Sequence, residues 1–333
     1  MAVGDSEFSI IDEVFAPLSD RADGALRLKD DVAQLPASEY IVSKDILVAG
    51  VHFREKDALD LVARKLLRAN LSDLAAKGAR PAGYFLGCTW PKEIKRSDVE
   101  LFAQGLKEDQ DAFRIGLFGG DTTRHRKAKM PLVLSATIFG TPPRQGIVTR
   151  AGAAAGDDLY VTGTIGDAGL GLRALDRKMK MSTEHKELLT TRYLLPEPRL
   201  TIGSALSGLA SATIDVSDGL IADCVHLIAA SGPLLRAQLF AQSIPLSAPA
   251  AAWLENQDST DRAFEELVTA GDDYEILFTA PQSMRRSVEM AANVAKTPVA
   301  RIGNIEAGEN SVTLLNADGE TIDISQSGYN HFA

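Results

Sequence analysis

The stretch Arg114-Ile-Gly-Leu-Phe-Gly-Gly-Asp121-Thr-Thr123 constrains this chain more than any other. Its apolar run, residues 115–118, reads as a buried strand. The run stops at two glycines, an acid and two hydroxyls. Glycine lets a backbone come close to a bulky ligand, and the N–H groups it frees can face an anion. A carboxylate at the end of a core strand is a hard oxygen donor suited to Mg²⁺. The same letters also make a good turn, so the reading rests on what accompanies them.

At 333 residues the chain exceeds one ordinary core. Two domains are expected, 1–148 and 149–333, with Pro142, Pro143 and Gly146 marking the boundary. A net charge of −10 with no block of like charges argues against nucleic acid as a partner. A small phosphorylated ligand stays compatible if metal ions neutralise both sides. Cys88 and Cys224 form no metal spacing and suggest a reducing compartment. The acidic N-terminus is no signal peptide. The longest uncharged segment, 237–254, carries Pro245 and Pro249 and cannot span a bilayer. A soluble, cytoplasmic protein is expected, with no membrane partner.

In chain order, residues 7–20 read as a short helix, and Asp30 and Asp31 precede a β-rich run holding Ser43, Lys44 and Asp45. His52, flanked by apolar residues, reads as a core histidine. A helix is expected over 57–77, capped by Asp57 and ended by Gly78. Its periodicity puts Asp73 on the core face, where an unpaired carboxylate would cost several kcal/mol. Lys77, Arg80 or a metal ion would supply the countercharge. A strand over 83–90 follows, then a helix through Phe113 with a capping box of Ser97 and Glu100, and a strand over 132–139. The order β-α-β-α-β-β makes an α/β or α+β domain.

The second half restarts with a strand at 156–163. Gly169, Gly171 and Ala174 loosely fit a dinucleotide fingerprint, but no strand with a terminal acid follows at the right distance. A tight strand-to-helix turn is the expected reading. No Walker A sequence occurs. A strand ends in Asp215, ahead of Ser217 and Asp218, and Gly271-Asp-Asp-Tyr-Glu275 precedes another at 276–279. A helix at 282–294 and short strands near 299–302, 311–315 and 320–324 close the chain.

Acids thus stand beside strands or on a core face at Asp31, Asp45, Asp73, Asp121, Asp215 and Asp218. Hard oxygens without paired cysteines point to Mg²⁺, and phosphoryl transfer is the reaction class such a site serves. On these motifs the chain resembles the thiamine-phosphate kinases, of the aminoimidazole-ribonucleotide-synthetase-like superfamily. The markers are Asp30-Asp31-Val-Ala, Asp45 through Gly50-Val-His-Phe53, Asn70-Leu-Ser-Asp73 through Pro81, Gly119-Gly-Asp-Thr-Thr123, Asp215-Val-Ser-Asp-Gly-Leu220, Gly271-Asp-Asp-Tyr-Glu275 and Gly328-Tyr-Asn-His-Phe332.

The resemblance implies ATP-dependent phosphorylation of thiamine monophosphate to thiamine diphosphate with several Mg²⁺ ions. It implies a two-domain fold whose N-terminal domains pair in a homodimer. By motif, the metal positions are Asp31, Ser43, Lys44, Asp45, Asp73, Asp121, Asp215 and Asp218, with Asp73, Asp121 and Asp218 as the catalytic ones. Gly120, Asp121, Arg150 and Ser217 fall on the nucleotide; His52, Asp272, Gln326 and Tyr329 fall on the thiamine phosphate. Lys44 stands where the family usually has threonine, Lys29 for glycine, Asp272 for glutamate, and Gln326 where an aromatic is common. Tyr329 or Trp90 is then the candidate ring platform. The alternatives are another ATP-using synthetase of the superfamily, a dinucleotide-dependent oxidoreductase, and a catalytically silent nucleotide sensor. Cys88 and Cys224, within a strand and a helix, fit no sulfur- or selenium-handling branch.

Overall fold

A computed structural model describes residues 7–22, 24–29, 33–177, 179–325 and 327–329. By contacts the chain divides into two units: Met1–Leu74 with Arg80–Pro142, and Ala75–Ala79 with Pro143–Ala333.

In the first unit, α1 (Glu7–Ile10) runs on through a π-helical and a 3-10 turn to Ser19. The sheet contains β1 (Ile41–Val48), β2 (Arg80–Trp90), β3 (Gly116–Arg124) and β4 (Val133–Thr141), in the order β1-β4-β2-β3. The helices are α2 (Leu59–Ala76) and α3 (Arg96–Phe113). β2 and β3 are parallel and need the crossover that α3 supplies; the other pairs are antiparallel. β4 buries Leu134, Ala136 and Ile138 completely, while the residues between them stay half-buried. One face of the sheet is therefore covered and the other less so. Leu66, Leu67, Leu71 and Leu74 of α2 and Phe102 and Leu106 of α3 are fully buried, as their three- and four-residue spacing requires.

Two helix ends differ from expectation. α3 starts at Arg96 because Asp98, not Glu100, turns back to accept the Lys95 N–H at 2.9 Å. Asp57 accepts the N–H of Arg54 and pairs with its guanidinium, so the helix after it starts at Leu59. Gly78, at φ +67°, takes the left-handed step past the end of α2.

The second unit is built on β5 (Asp157–Thr162), α4 (Asp167–Asp176), α5 (Thr183–Leu194), α6 (Leu200–Leu206), β6 (Ala212–Asp215), α7 (Leu220–Ser231), β7 (Leu235–Phe240), α8 (Ala248–Glu255), α9 (Thr260–Val268), β8 (Ile276–Pro281), α10 (Arg285–Ala295), β9 (Val299–Ala307), β10 (Ser311–Leu315) and β11 (Thr321–Ile322). Its seven strands lie in the order β11-β10-β7-β9-β5-β8-β6. β5 is buried along its whole length, as befits a strand flanked on both edges. Among the described residues no helix is long and apolar enough to cross a membrane.

Asp158 enters this buried strand only 1% exposed. Arg285 reaches it with two hydrogen bonds, at 2.6 and 2.8 Å, and Arg301 adds a third at 3.3 Å. The Arg285 hydrogen bond, foremost, holds the Asp158 carboxyl below its usual pKa against the opposing effect of burial. Asp158→Asn should therefore lower unfolding free energy by about 1–3 kcal/mol at neutral pH, read by urea denaturation. A depressed folded-state pKa contributes stability that is lost as pH falls through it. The gap between wild type and variant should close below about pH 4.

Candidate functional site

The alternation of β1 sorts its polar residues. Ser43 and Asp45 share one face, and Ser43 Oγ donates to the Asp73 carboxylate of α2 at 2.5 Å. Burial, then the charge of Asp73, push the Asp45 carboxyl up to about 6, while Lys44 pulls it down. Two half-buried carboxylates and a hydroxyl thus meet in one place, all of them hard oxygens. Lys44 points to the other face, where its ammonium donates to Ser135 Oγ at 2.5 Å and Thr137 Oγ1 at 3.5 Å. His52 sits in the turn after β1, its Nδ1 accepting the Val48 N–H at 3.1 Å. That bond puts the proton of the neutral ring on Nε2. Asp31 and Gln326 lie outside the described residues.

The central glycine stretch is not a turn. β3 continues through it to Arg124, and Gly120 and Asp121 pair with Leu86 and Gly87 of β2. Phe118 is the extra residue of a bulge that moves the register between Leu117 and Gly119. A Cβ on Gly120 would lie 1.9 Å from the Leu86 carbonyl oxygen. The glycine is thus required by the neighbouring strand, whatever else approaches it. Residues 119–122 also line a cavity of about 560 Å³, together with Asp12, Lys29 and Phe85. Trp90 is buried, edge-on to Phe102, with its indole N–H on Thr122 at 2.8 Å. That excludes it as a stacking platform.

In the second unit three separate motifs are stitched together by main-chain bonds. Val216 N–H donates to Glu275 O at 2.8 Å, Asp272 N–H to Ser217 O at 2.9 Å, and Tyr274 N–H to Val216 O at 2.8 Å. Tyr329 N–H donates to Asp218 O at 3.0 Å. Gly271 and Gly328 make these approaches possible, since a Cβ on either would lie 2.5 Å from the carbonyl oxygen of Ser217 or Asp218. Asp272 and Tyr274 both hold left-handed backbones, at φ 71° and 51°, a strain that clusters at functional loops. So Asp215, Ser217, Asp218, Asp272 and Tyr329 come together. Arg150 is exposed and is bonded through its carbonyl to Ser231 at the end of α7.

Two carboxylates that the sequence did not single out hold this arrangement. Asp223, in the first turn of α7, accepts the N–H groups of Ser217, Asp218 and Gly219 at 3.0, 3.0 and 3.2 Å. Burial, then the charges of Asp215 and Asp218, push it up to about 8 against those bonds. Asp273 accepts from Gly166 and Ala168 at 2.7 and 3.2 Å, and burial raises its pKa well above the usual range. The available signal for Asp223 is an acid inside a largely apolar helical run.

Gly169 and Gly171 lie inside α4, not in a strand-to-helix turn. A Cβ on Gly171 would meet the Leu189 carbonyl oxygen at 2.0 Å, and one on Gly169 the Ala270 methyl at 2.4 Å. These glycines serve packing, which removes the feature behind the oxidoreductase alternative.

Residues 29–141 match the family described as AIR synthase related protein, N-terminal domain. A thiamine-monophosphate kinase from Caulobacter vibrioides is 43% identical over 307 residues, covering 91% of this chain and 85% of its own. The crystal structure of thiamine-monophosphate kinase from Stenotrophomonas maltophilia K279a matches with a TM-score of 0.81 at 37% identity, over 95% of this chain and 97% of that one. The chain belongs to the thiamine-monophosphate kinase family. A further solved structure, AaThiL complexed with AMPPCP and TMP, gives a TM-score of 0.76 at 27% identity, over 98% of this chain and 97% of that one. The mixed α/β architecture is that of the AIR synthase-like fold to which these kinases belong.

Among the described residues of this family member, no three acidic, histidine or cysteine side chains close on one point as a ready-made metal cage. The tight approach at Gly120 is open to a direct check. Gly120→Ala should cost about 3 kcal/mol of stability through overpacking. Gly87→Ala, whose Cβ would meet nothing nearer than Ser135 at 3.6 Å, should be nearly neutral by urea denaturation.

Proposed function

We propose that this protein phosphorylates thiamine monophosphate to thiamine diphosphate with ATP, by direct in-line phosphoryl transfer assisted by several Mg²⁺ ions. The observation that carries the reading is the stitching of residues 215–218, 271–275 and 328–329 into one place by main-chain bonds. The full-length likeness to a relative complexed with AMPPCP and TMP supports it.

Asp31, Ser43, Asp45, Asp73, Asp121, Asp215 and Asp218 are the proposed metal positions. Asp73, Asp121 and Asp218 are the ones on which turnover depends. Lys44 joins that set only through its main chain, since its ammonium has no lone pair to give. The donors that meet at Asp73 are all oxygen, as Mg²⁺ prefers, and one or two carboxylates completed by water and substrate phosphate suffice for this ion. Bound there, Mg²⁺ supplies neutralisation between two polyanions. Gly120, Asp121, Arg150 and Ser217 are proposed for the nucleotide.

His52 and Asp272 are proposed for the acceptor, the first as an Nε2–H donor to its phosphate. Gln326 belongs to the same set by its motif. Tyr329, half exposed beside a cavity of about 380 Å³ that Gly271 also lines, is the proposed ring platform. A phosphate monoester has a second pKa of about 6, so the attacking oxygen is already anionic and needs no general base.

The homodimer belongs to the same reading. Val42 and Ile46, 52% and 50% exposed, flank Lys44 on the less covered face of the edge strand β1. A second copy covering that face would bury them. Val42→Asp with Ile46→Asp should shift sedimentation from dimer to monomer; an unchanged profile places the interface elsewhere.

Asp73→Asn should lower Mg²⁺-dependent formation of ADP and thiamine diphosphate by about 100-fold, equivalent to about 2.7 kcal/mol, with the circular-dichroism spectrum retained. Undiminished turnover, or phosphate trapped on the protein after acid quench, would defeat the assignment.

A further inference from the structure

A second cavity of the second unit plays no part in the proposed kinase site. It is a partly open cleft of about 590 Å³ between the end of α4, the connection to α5, and α8, a size usual for small-molecule sites. It shares no lining residue with the stitched motifs. Met179 and Met181 form one wall and pack against the hydrophobic cluster around Leu189 and Ala250. Trp253 backs it, with the Arg173 guanidinium 5.5 Å from the ring centroid. Arg173 is ion-paired with Glu266.

Arg177, Lys180 and His185 complete the basic side of the lining, which contains no Asp or Glu. Among the described residues none forms an ion pair with these three. Arg177 and Lys180, with no carboxylate in the lining beside them, are cations that draw anions. A guanidinium fork and an ammonium are the usual binders of phosphate. Thioethers adapt their shape to flat rings and attract them. A volume of this size suits one small molecule.

We propose that this cavity binds a small organic phosphate carrying a planar ring. The phosphate lies on Arg177 and Lys180, and the ring lies against Met179 and Met181. Nucleotides and thiamine phosphates share this chemistry, and the test separates them. In Trp90→Phe protein, Trp253 is the remaining tryptophan of two and reports on the cavity. Its emission is titrated at fixed ionic strength with ADP, thiamine diphosphate and inorganic pyrophosphate.

A saturable change with at least one ring-bearing ligand is expected, with pyrophosphate binding more weakly. Arg177→Glu with Lys180→Glu should weaken that binding at least about tenfold, or about 1.4 kcal/mol. The KM values for ATP and thiamine monophosphate should stay where they were. Equilibrium dialysis of the chain with Trp90 intact measures the same binding without relying on the reporter. There the double variant should bind one equivalent fewer of the same ligand. Equal binding by wild type and double variant, or tighter binding of pyrophosphate than of either ring-bearing ligand, overturns the proposal. Absence of kinase turnover would strike the proposed phosphoryl transfer and leave this binding result standing.

Discussion

Negative charge taken out of water is the constraint on which this molecule depends. Each buried carboxylate must be answered, and the chain answers in two ways. Asp109 is held by Arg64 and Arg68, Asp158 by Arg285 and Arg301, and Glu275 by Arg192 and Arg199. Those pairs cancel charge and fix structure. Asp73 meets a hydroxyl, while Asp223 and Asp273 meet main-chain N–H groups of neighbouring loops. Neutral donors position a carboxylate without cancelling its charge. Beyond the effect of burial, the nearby charge of Asp73 therefore still raises the pKa of Asp45, and the charges of Asp215 and Asp218 do the same at Asp223.

Glycine plays a related part. Gly120, Gly271 and Gly328 each stand within 2.5 Å, measured from a would-be Cβ, of a neighbouring carbonyl oxygen. They let polar backbones come close enough to carry acids past one another, which no side chain there would permit. The close approach these glycines permit is one of strand to strand and loop to loop. Ligand approach then follows from where those contacts leave the loops.

Much of this was legible in the sequence. The face on which Asp73 lies followed from the three- and four-residue rhythm of its helix, because that rhythm is fixed by the geometry of one turn. The separation of Ser43 and Asp45 from Lys44 likewise follows from the period of a strand. β7 carries only a weak signal, since Leu235, Ala237 and Leu239 alternate with polar residues over just six positions. β3 runs beyond its apolar residues although Gly-Gly-Asp-Thr is turn chemistry locally, because the parallel ladder with β2 overrides local preference.

By itself, the order of residues determined the core face on which Asp73 lies, the two long helices of the first unit, and the family to which the chain belongs. These depend on local periodicity and on motifs that survive in one dimension. Only the tertiary structure decided what answers each acid: a hydroxyl 30 residues away for Asp73, three successive N–H groups for Asp223, a pair of arginines for Asp158. Such partners are chosen by the register of strands and the crossing of loops, which bring distant residues within hydrogen-bonding range. A linear pattern carries no distance between them.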